Sequence, residues 1–479
     1  MTFFGRAQEM ARLGQELEEV QTAGQGRFVV VRGRRQVGKS RLVEEFLAQH
    51  EVPSVYFQAT KGRLPDKELA IFAQAVAGSA LAAAPLVRAG ASFSSWDGAL
   101  AVIGATATGQ APAVVVLDEV PYLFEQDLSV EGALQTAWDR HLRDRPVLLI
   151  MIGSDFAVMS ALLEYGRPLF GRPTREMIIE PLSPADVADA LGLSPPDALD
   201  AHLVLGGFPL LINSWRGASS VREYLFQQLE DPTGPLLVVG ERILAAEFPP
   251  QAQARLILSV IGAGERTFTT IAQRSGISGT SLTRALDILM EKRVVQRMAP
   301  LSSRPSRLAR YAVADPYLRF WLRFLERGLE LVQRGRGDLL LGRIDDAWSA
   351  YRGKAVEPVI REALRRLLPL EGLGDATAVG SYWTRSQDVE VDIVGADSPR
   401  APAQVRFLGS IKWRDGQPFG AKDLSHLLLA RERVPGAADA TPLLGVSGTG
   451  FETDMLDARL GPADLIEAWR PRTPGSLSR

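Results

Sequence analysis

The sequence predicts a multidomain α/β protein whose first domain is a parallel β-sheet surrounded by helices. Three observations support this fold class. The apolar run Phe28–Val31 leads through a glycine-rich turn into a helical stretch, the apolar run Ala113–Leu117 leads into two acids, and the chain has 479 residues, which is too long for one hydrophobic core. Continuous apolar runs of this length are typical of parallel strands that are buried on both faces.

The turn after the first strand has the spacing G-x-x-x-x-G-K-S, which is typical of a phosphate-binding loop. In such a loop, glycines let the backbone approach phosphate oxygens, and the amides at the start of the next helix point at the anion. Lys39 is expected to reach the β- and γ-phosphates of a nucleotide, and the Ser40 hydroxyl is expected to ligate Mg²⁺. A chance glycine-rich turn is the alternative. The predicted nucleotide-binding residues of the loop are Gly33, Arg34, Arg35, Gln36, Val37, Gly38, Lys39, Ser40 and Arg41.

The second apolar run ends at Asp118-Glu119, which is the Walker B pattern. Asp118 is expected in the Mg²⁺ shell, and Glu119 is expected to orient the attacking water. A buried strand that ends at a solvated acidic turn is the alternative. The next apolar run, Val147–Ile152, leads into Ser154, which either senses the γ-phosphate or caps the following helix. Lys39, Glu119 and Ser154 are thus the predicted catalytic residues of an ATPase.

A glycine- and proline-rich loop follows and carries three arginines, Arg167, Arg172 and Arg175. Guanidinium groups stabilise the charge that develops during phosphoryl transfer, so this loop is a candidate source of an arginine finger. The loop is equally a candidate source of a sensor arginine; which of the three arginines acts stays open, and Arg172 is the candidate catalytic residue. Solvated loop arginines are the alternative.

The order of these motifs resembles the archaeal-type ATPase family within the STAND/AAA+ group of P-loop NTPases. The motifs that carry the resemblance are F-G-R at Phe4-Gly5-Arg6, G-x-x-x-x-G-K-S, apolar-D-E, the strand ending in Gly-Ser, the G-R-P-T loop and P-L-S-P at 181–184. The resemblance implies that Phe4, Gly5 and Arg6 lie near the adenine of bound ATP; a plain N-terminal helix is the alternative. It also implies an ATPase domain over 1–182 and a helical lid over 183–234, in which Gly206-Gly207-Phe208-Pro209 either covers the nucleotide or ends a helix.

Residues 235–335 are predicted to form a winged helix-turn-helix and an aromatic connector, because three short helical stretches precede two short strands. From residue 293 to residue 336 there are ten arginines and three acids. Such local charge indicates a surface that binds DNA phosphates, and packing of the domain inside the protein is the alternative. The candidate DNA contacts are Arg284, Arg297, Arg304 and Arg307. Tyr311–Trp321 resembles a segment of the same family and is expected to be a core element.

Residues 336–470 resemble the PD-(D/E)xK restriction-endonuclease-like domain that is fused to archaeal-type ATPases. The resemblance matches Glu357 to the helix acid, Asp392 to the strand acid and Lys412 to the lysine. Active members have an acid at the position of Ser410, and Glu390 is the candidate substitute. The domain is therefore either a metal-dependent nuclease or a non-cleaving relative, and a solvated acidic strand face is a further alternative. Residues 471–479 are expected to be a disordered tail.

Composition excludes several kinds of functional site. The chain has no cysteine, which excludes disulfides and thiolate chemistry, and its four histidines show no metal-ligand spacing. The net charge is -2, so bulk charge indicates no particular partner. No signal peptide or membrane span is evident, and a cytoplasmic location is expected. We expect an ATP- and Mg²⁺-dependent switch that acts on or near DNA; the alternative is a signalling or scaffold ATPase that self-associates.

Overall fold

A computed structural model describes residues 2–248, 253–262 and 264–471, which form two compact units, residues 1–181 and 182–479. Residues 472–479 of the expected tail lie outside the described residues, so its predicted disorder is a prediction only. In the described part of the chain, no helix combines the length and the apolar character needed to cross a membrane.

The first unit is built on a five-stranded parallel sheet, which confirms the predicted fold class. Its strands run in the order β2-β3-β4-β1-β5. The strands are β1 Arg27–Arg32, β2 Ser54–Gln58, β3 Ala113–Asp118, β4 Val147–Gly153 and β5 Arg175–Ile178. Every residue of β3 and β4 is buried, as expected for central strands that are covered on both faces. All five carboxyl ends therefore meet at one edge of the sheet.

Eight α-helices cover this sheet. They are α1 Ala7–Ala23, α2 Lys39–His50, α3 Pro65–Gly78, α4 Ala84–Arg88, α5 Trp96–Thr106, α6 Pro121–Gln126, α7 Ser129–Ala137 and α8 Phe156–Ala161. A π-helical turn, Trp138–Leu142, continues α7. Large aromatic side chains from strands and helices meet in the core, where the ring centroids of Phe57 and Phe72 are 5.6 Å apart.

The second unit begins with five helices, of which the first four lie in the region of the predicted lid and the fifth directly follows it. They are α9 Pro184–Leu191, α10 Pro195–Leu205, α11 Pro209–Asn213, α12 Val221–Leu229 and α13 Pro235–Glu247. Gly206 ends α10 with a φ of 60°, and a Cβ there would lie only 2.6 Å from the Cβ of Tyr317. A Cβ on Gly207 would lie 2.0 Å from the carbonyl oxygen of Leu182. Gly206 thus ends a helix, and Gly207 allows close packing of the backbone within this unit.

Three helices and a hairpin follow in the order predicted for a winged helix. They are α14 Ala254–Ile261, α15 Phe268–Ser275, α16 Gly279–Glu291, β6 Val295–Met298 and β7 Arg310–Val313, and the strands pair antiparallel. The loop between the two strands packs on the C-terminal domain, because Leu301 is buried in that domain's core and its amide donates to the carbonyl of Ser381 at 2.8 Å. This loop is therefore anchored near its start.

The aromatic connector comprises α17 Pro316–Phe320, a π-helical turn Trp321–Leu325 and α18 Leu329–Gln333. Tyr317, Phe320 and Trp321 are fully buried, and the Trp321 indole donates to the carbonyl of Leu237 in α13 at 3.1 Å. The segment is a core element between α13 and the helices that follow.

The C-terminal domain is a mixed five-stranded sheet in the order β12-β11-β10-β9-β8. Its elements are α19 Gly337–Ala355, α20 Glu357–Leu367, β8 Ala378–Trp383, β9 Glu390–Ala396, β10 Val405–Lys412, α21 Ala421–Arg431, β11 Leu443–Ser447, β12 Ala458–Leu460 and α22 Pro462–Glu467. β8 and β9 pair antiparallel, as do β9 and β10, whereas β10, β11 and β12 are parallel.

Candidate functional site

The phosphate loop connects the carboxyl end of β1 to the N-terminus of α2. Gly33 must be a glycine, because a Cβ at this position would lie 2.3 Å from the carbonyl oxygen of Ile179. Gly38 has a φ of 92°, which L side chains rarely adopt, and places the loop directly before α2. Lys39 is 6% exposed, and its Nζ donates to the carbonyl oxygen of Arg34 at 2.9 Å. The lysine side chain thus lies within the loop and contacts a carbonyl oxygen of the loop.

The remaining loop residues divide between the site and the surface. Gln36 has a φ of 66°, so the loop contains a left-handed turn before Val37. The Arg35 guanidinium donates to the Tyr122 hydroxyl at 2.6 Å. Arg41 lies on the exposed face of α2 and pairs with Glu45 at 2.9 Å, so the structure places it with the helix surface and not with the loop.

Ser40 and Asp118 are brought together as the two motifs predict. The Ser40 hydroxyl donates to Oδ2 of Asp118 at 2.7 Å, and the Tyr56 hydroxyl donates to the same oxygen at 2.6 Å. Burial, and then the charge of Asp118, raises the pKa of Tyr56 well above its usual value. The structure contains no cluster of three or more metal-binding side chains among the described residues. A hydroxyl and one carboxylate nevertheless fit Mg²⁺, which usually takes one or two carboxylates together with substrate phosphates.

Glu119 and Ser154 form the second pair of the site. Ser154 is 7% exposed, and its hydroxyl donates to Oε2 of Glu119 at 2.7 Å. Glu119 has a φ of 54°, an uncommon conformation for a non-glycine residue. The helix after β4 is capped by Asp155, whose carboxylate accepts from the amides of Ala157 and Val158 at 3.1 Å. The capping alternative for Ser154 is therefore wrong, since the next residue is the cap.

The N-terminal F-G-R segment also reaches the loop. Arg6 is buried, and its Nη2 donates to the carbonyl oxygens of Val37 at 3.0 Å and Glu180 at 2.6 Å. Phe4 and Gly5 directly precede it in the chain. Arg6 therefore ties the start of α1 to the phosphate loop and to the end of the β5 segment.

Arg172 lies away from the phosphate loop of its own chain. Its guanidinium binds the Asp139 carboxylate, with Nη2 2.8 Å from Oδ2, and both residues line a cavity with Arg27. Arg27 begins β1, whereas the phosphate loop follows the other end of that strand. Six residues at about 3.3 Å each separate these ends by roughly 20 Å. The structure thus does not support Arg172 as the finger of its own site, because sheet geometry places it at the opposite edge.

The nuclease-like residues are partly assembled. Oδ2 of Asp392 accepts from the Ser410 hydroxyl at 3.0 Å and from the Ile411 amide at 2.9 Å. Lys412 lies on the same face of β10 as Ser410, because side chains alternate along a strand. Burial, and then the charge of Asp392, raises the pKa of Glu357 to about 6. The helix acid and the strand acid therefore interact.

Basic side chains bind the acids of this cluster. Lys354 Nζ lies 2.9 Å from Glu357 Oε1 and 3.5 Å from Glu390 Oε1. Arg310 Nη1 lies 3.2 Å from Glu390 Oε1, and Arg361 Nη1 lies 3.5 Å from Glu357 Oε2. Glu390, the candidate substitute for the missing acid, thus binds the side chains of Lys354 and Arg310 in this structure, and its role in place of that acid stays a prediction.

The basic segment is not one surface. Arg284, Arg297, Arg304 and Arg307 are exposed and form no ion pair with any described residue. Arg310 and Arg319 are buried instead, and Arg319 Nη1 donates to the carbonyl of Ala355 at 3.5 Å. Arg334 and Arg336 pair with nearby acids. Only part of the predicted electrostatic footprint is thus available to a partner.

Sequence reasoning missed Tyr56 and Tyr122, which contact Asp118 and Arg35. Within β2, Val55 and Phe57 are buried while Tyr56 is half-buried. This alternation shows that Tyr56 points to the face opposite its neighbours. A polar aromatic residue near the carboxyl end of a strand beside the Walker B strand was the available signal.

Comparisons with known proteins support an ATPase domain at the start of the chain. Residues 2–150 match the family model described as the AAA ATPase domain. Residues 321–424 match the model described as archaeal and bacterial proteins of unknown function. The uncharacterized protein MJECL04 of Methanocaldococcus jannaschii is 23% identical over 463 residues, which cover 94% of this chain and 96% of that protein.

Two solved structures show partial similarity. The Walker-type ATPase paby2304 of Pyrococcus abyssi has a TM-score of 0.48 and 18% identity, covering 67% of this chain and 96% of that chain. The ORC2 protein of Aeropyrum pernix, in ADPNP–ADP complexes, has a TM-score of 0.44 and 14% identity, covering 70% and 94%. The chain thus carries an AAA ATPase domain followed by a segment of an archaeal and bacterial family, which confirms the resemblance to archaeal-type ATPases seen in its sequence.

Proposed function

We propose that the protein is an ATP-binding and ATP-hydrolysing AAA+/STAND-type switch that acts on or near DNA. The observation that carries the ATPase proposal is the pair of serine–carboxylate contacts, Ser40 to Asp118 and Ser154 to Glu119, beside one phosphate loop. Both contacts lie at the edge where the carboxyl ends of β1, β3 and β4 meet. Nucleotides bind at this edge in open α/β sheets.

Each residue has a defined task in hydrolysis. The amides at the start of α2 bind phosphate oxygens, and Lys39 exchanges the carbonyl of Arg34 for the β- and γ-phosphates. Glu119 accepts a proton from the attacking water and orients it, and Ser154 fixes the position of the Glu119 carboxylate. Mg²⁺, when bound by Ser40 and Asp118, neutralises phosphate charge.

A Lys39→Ala variant tests the nucleotide site. We expect a loss of ATP affinity, because a buried cation is removed from the phosphate loop. Lys67→Ala is the matched control, since Lys67 is exposed on α3. ATP affinity in Lys39→Ala equal to that of the wild type would refute the assignment.

DNA binding is supported by the four exposed arginines Arg284, Arg297, Arg304 and Arg307. Each phosphate that an arginine neutralises changes the slope of log K against log salt by about 0.9. We expect wild-type binding to a short duplex to weaken steeply between 50 and 200 mM salt. Replacing all four by alanine should flatten this slope, whereas replacing the paired residues Arg334 and Arg336 should not.

The alternative function is nucleotide-dependent assembly, and the loop around Arg172 favours it. Tyr165 is 90% exposed and Phe170 is 46% exposed in this loop, where their ring centroids lie 5.5 Å apart. The loop lies at the sheet edge opposite the phosphate loop, so Arg172 could reach phosphate only in a second copy. Particle size with and without ATP–Mg²⁺ distinguishes the two functions: growth without duplex binding supports assembly.

The C-terminal domain is, in this proposal, a non-cleaving member of the nuclease-like fold. Two of its acids, Glu357 and Glu390, pair with Lys354, Arg310 and Arg361, and a serine stands where active relatives have an acid. We expect no cleavage of duplex DNA with Mg²⁺ or Mn²⁺. Cleavage that Asp392→Ala abolishes would contradict this part of the proposal.

A further inference from the structure

Tyr56 contacts the same carboxylate oxygen as the Walker motifs. It lies on β2, which pairs in parallel with β3, and its hydroxyl is 2.6 Å from Oδ2 of Asp118. The Ser40 hydroxyl is 2.7 Å from that oxygen, and the Glu119 amide donates to Oδ1 at 2.8 Å. Two other elements, β2 and α2, and the amide of the next residue in the chain therefore donate to one carboxylate that is 1% exposed.

These contacts limit how Asp118 can bind a cation. A carboxylate has about four acceptor positions. Three are occupied by Tyr56, Ser40 and the Glu119 amide, so one position remains. The Ser40 hydroxyl can donate its hydrogen bond to Asp118 while the oxygen lone pairs of Ser40 face a cation. This arrangement requires the Asp118 carboxylate to keep its orientation. Tyr56 is the donor that fixes this orientation independently of Ser40.

We propose that Tyr56 is a positioning residue for the divalent cation, acting through Asp118. The inference rests on the proposed ATPase function and adds a residue that no motif identifies. Hydrogen bonds to residues that bind a metal orient those ligands, and removing such a bond typically lowers metal affinity by 10- to 100-fold. The hydroxyl of Tyr56 should therefore set the Mg²⁺ requirement and not the affinity for the nucleotide itself.

The test is Tyr56→Phe, which retains the ring and removes only the donor. Fluorescence of bound mant-ADP is titrated with Mg²⁺, so the readout does not depend on turnover. We expect a tenfold or larger rise in the Mg²⁺ concentration at half-saturation, with mant-ADP affinity in EDTA unchanged. Tyr224→Phe is the control, because it removes the hydroxyl of another buried tyrosine, which contacts Ser214 and does not touch Asp118.

A double-mutant cycle with Asp118→Asn separates positioning from general damage. If Tyr56 acts through Asp118, adding Tyr56→Phe to Asp118→Asn changes the Mg²⁺ response little further. Additive effects, or an unchanged half-saturation in Tyr56→Phe, would overturn the inference. Absence of mant-ADP binding by the wild type would instead refute the proposed nucleotide site, so the two failures are distinguishable. Melting curves without nucleotide identify a variant that fails to fold, and the cycle is then run with Tyr56→Met.

Discussion

Replacing Ser154 by alanine tests how the proposed catalytic carboxylate is held. The change removes one hydrogen bond of 2.7 Å to Glu119 at a position that is 7% exposed. A hydrogen bond to a charged group contributes about 1.5–3 kcal/mol, and burial leaves little screening by water. If the bond acts mainly in the transition state, hydrolysis should slow by about 10- to 150-fold, since 1.36 kcal/mol corresponds to a factor of ten. Affinity for ATP should change little, because Ser40, Lys39 and the loop amides remain.

Single-turnover release of phosphate from preformed enzyme–ATP measures the effect on chemistry alone. Ser160→Ala is the matched control, because this serine lies six residues further on, in α8, and contacts Arg32 and the Phe156 carbonyl instead of Glu119. A Ser154→Ala rate within twofold of the wild type would refute the reasoning. Equal slowing in both variants would mean that α8, and not the Glu119 contact, is responsible.

Three further predictions follow from the same contacts. Gly33→Ala should destabilise the protein by about 1–3 kcal/mol and weaken ATP binding, because the new Cβ would lie 2.3 Å from the carbonyl oxygen of Ile179. Thermal melting and ATP titration measure the two effects. Gly132→Ala is the control and should show neither effect, because its Cβ would meet nothing within 4 Å. Leu301→Ala should lower the free energy of unfolding, measured by urea denaturation, by about 2–5 kcal/mol, because this 3% exposed side chain belongs to the C-terminal core. Unchanged stability would mean that the loop between β6 and β7 does not pack on that core. Burial raises the pKa of Glu357 to about 6 in the folded state, above its ordinary value of 4.5, so the folded state binds the proton more tightly. The stability of the wild type relative to Glu357→Gln should therefore rise by about 1.6 kcal/mol as the pH falls from 7.5 to 4.5. A pH-independent difference in urea midpoints would contradict this prediction.

The phosphate loop and the Walker B strand were predictable because their chemistry is local. A glycine that precedes a helix by a fixed number of residues, and a buried strand that ends in acids, place their atoms through backbone geometry within one segment. The contact between Ser40 and Asp118 then follows, since β1 and β3 both end at one edge of a parallel sheet. The choice between sensor and cap for Ser154 required coordinates, because adjacent residues compete for the cap.

By itself, the sequence determined the fold class, the ATPase motifs and the absence of cysteine chemistry. The tertiary structure alone decided where long-range contacts occur: Arg172 lies at the far edge of the sheet, Tyr56 reaches Asp118 from another strand, and Arg310 binds Glu390 of the C-terminal domain. The physical reason is that spacing along the chain fixes local backbone geometry, whereas the partner of a charged or hydroxyl side chain depends on which elements pack together. Ten arginines of similar appearance in the sequence thus include exposed, surface-paired and buried residues.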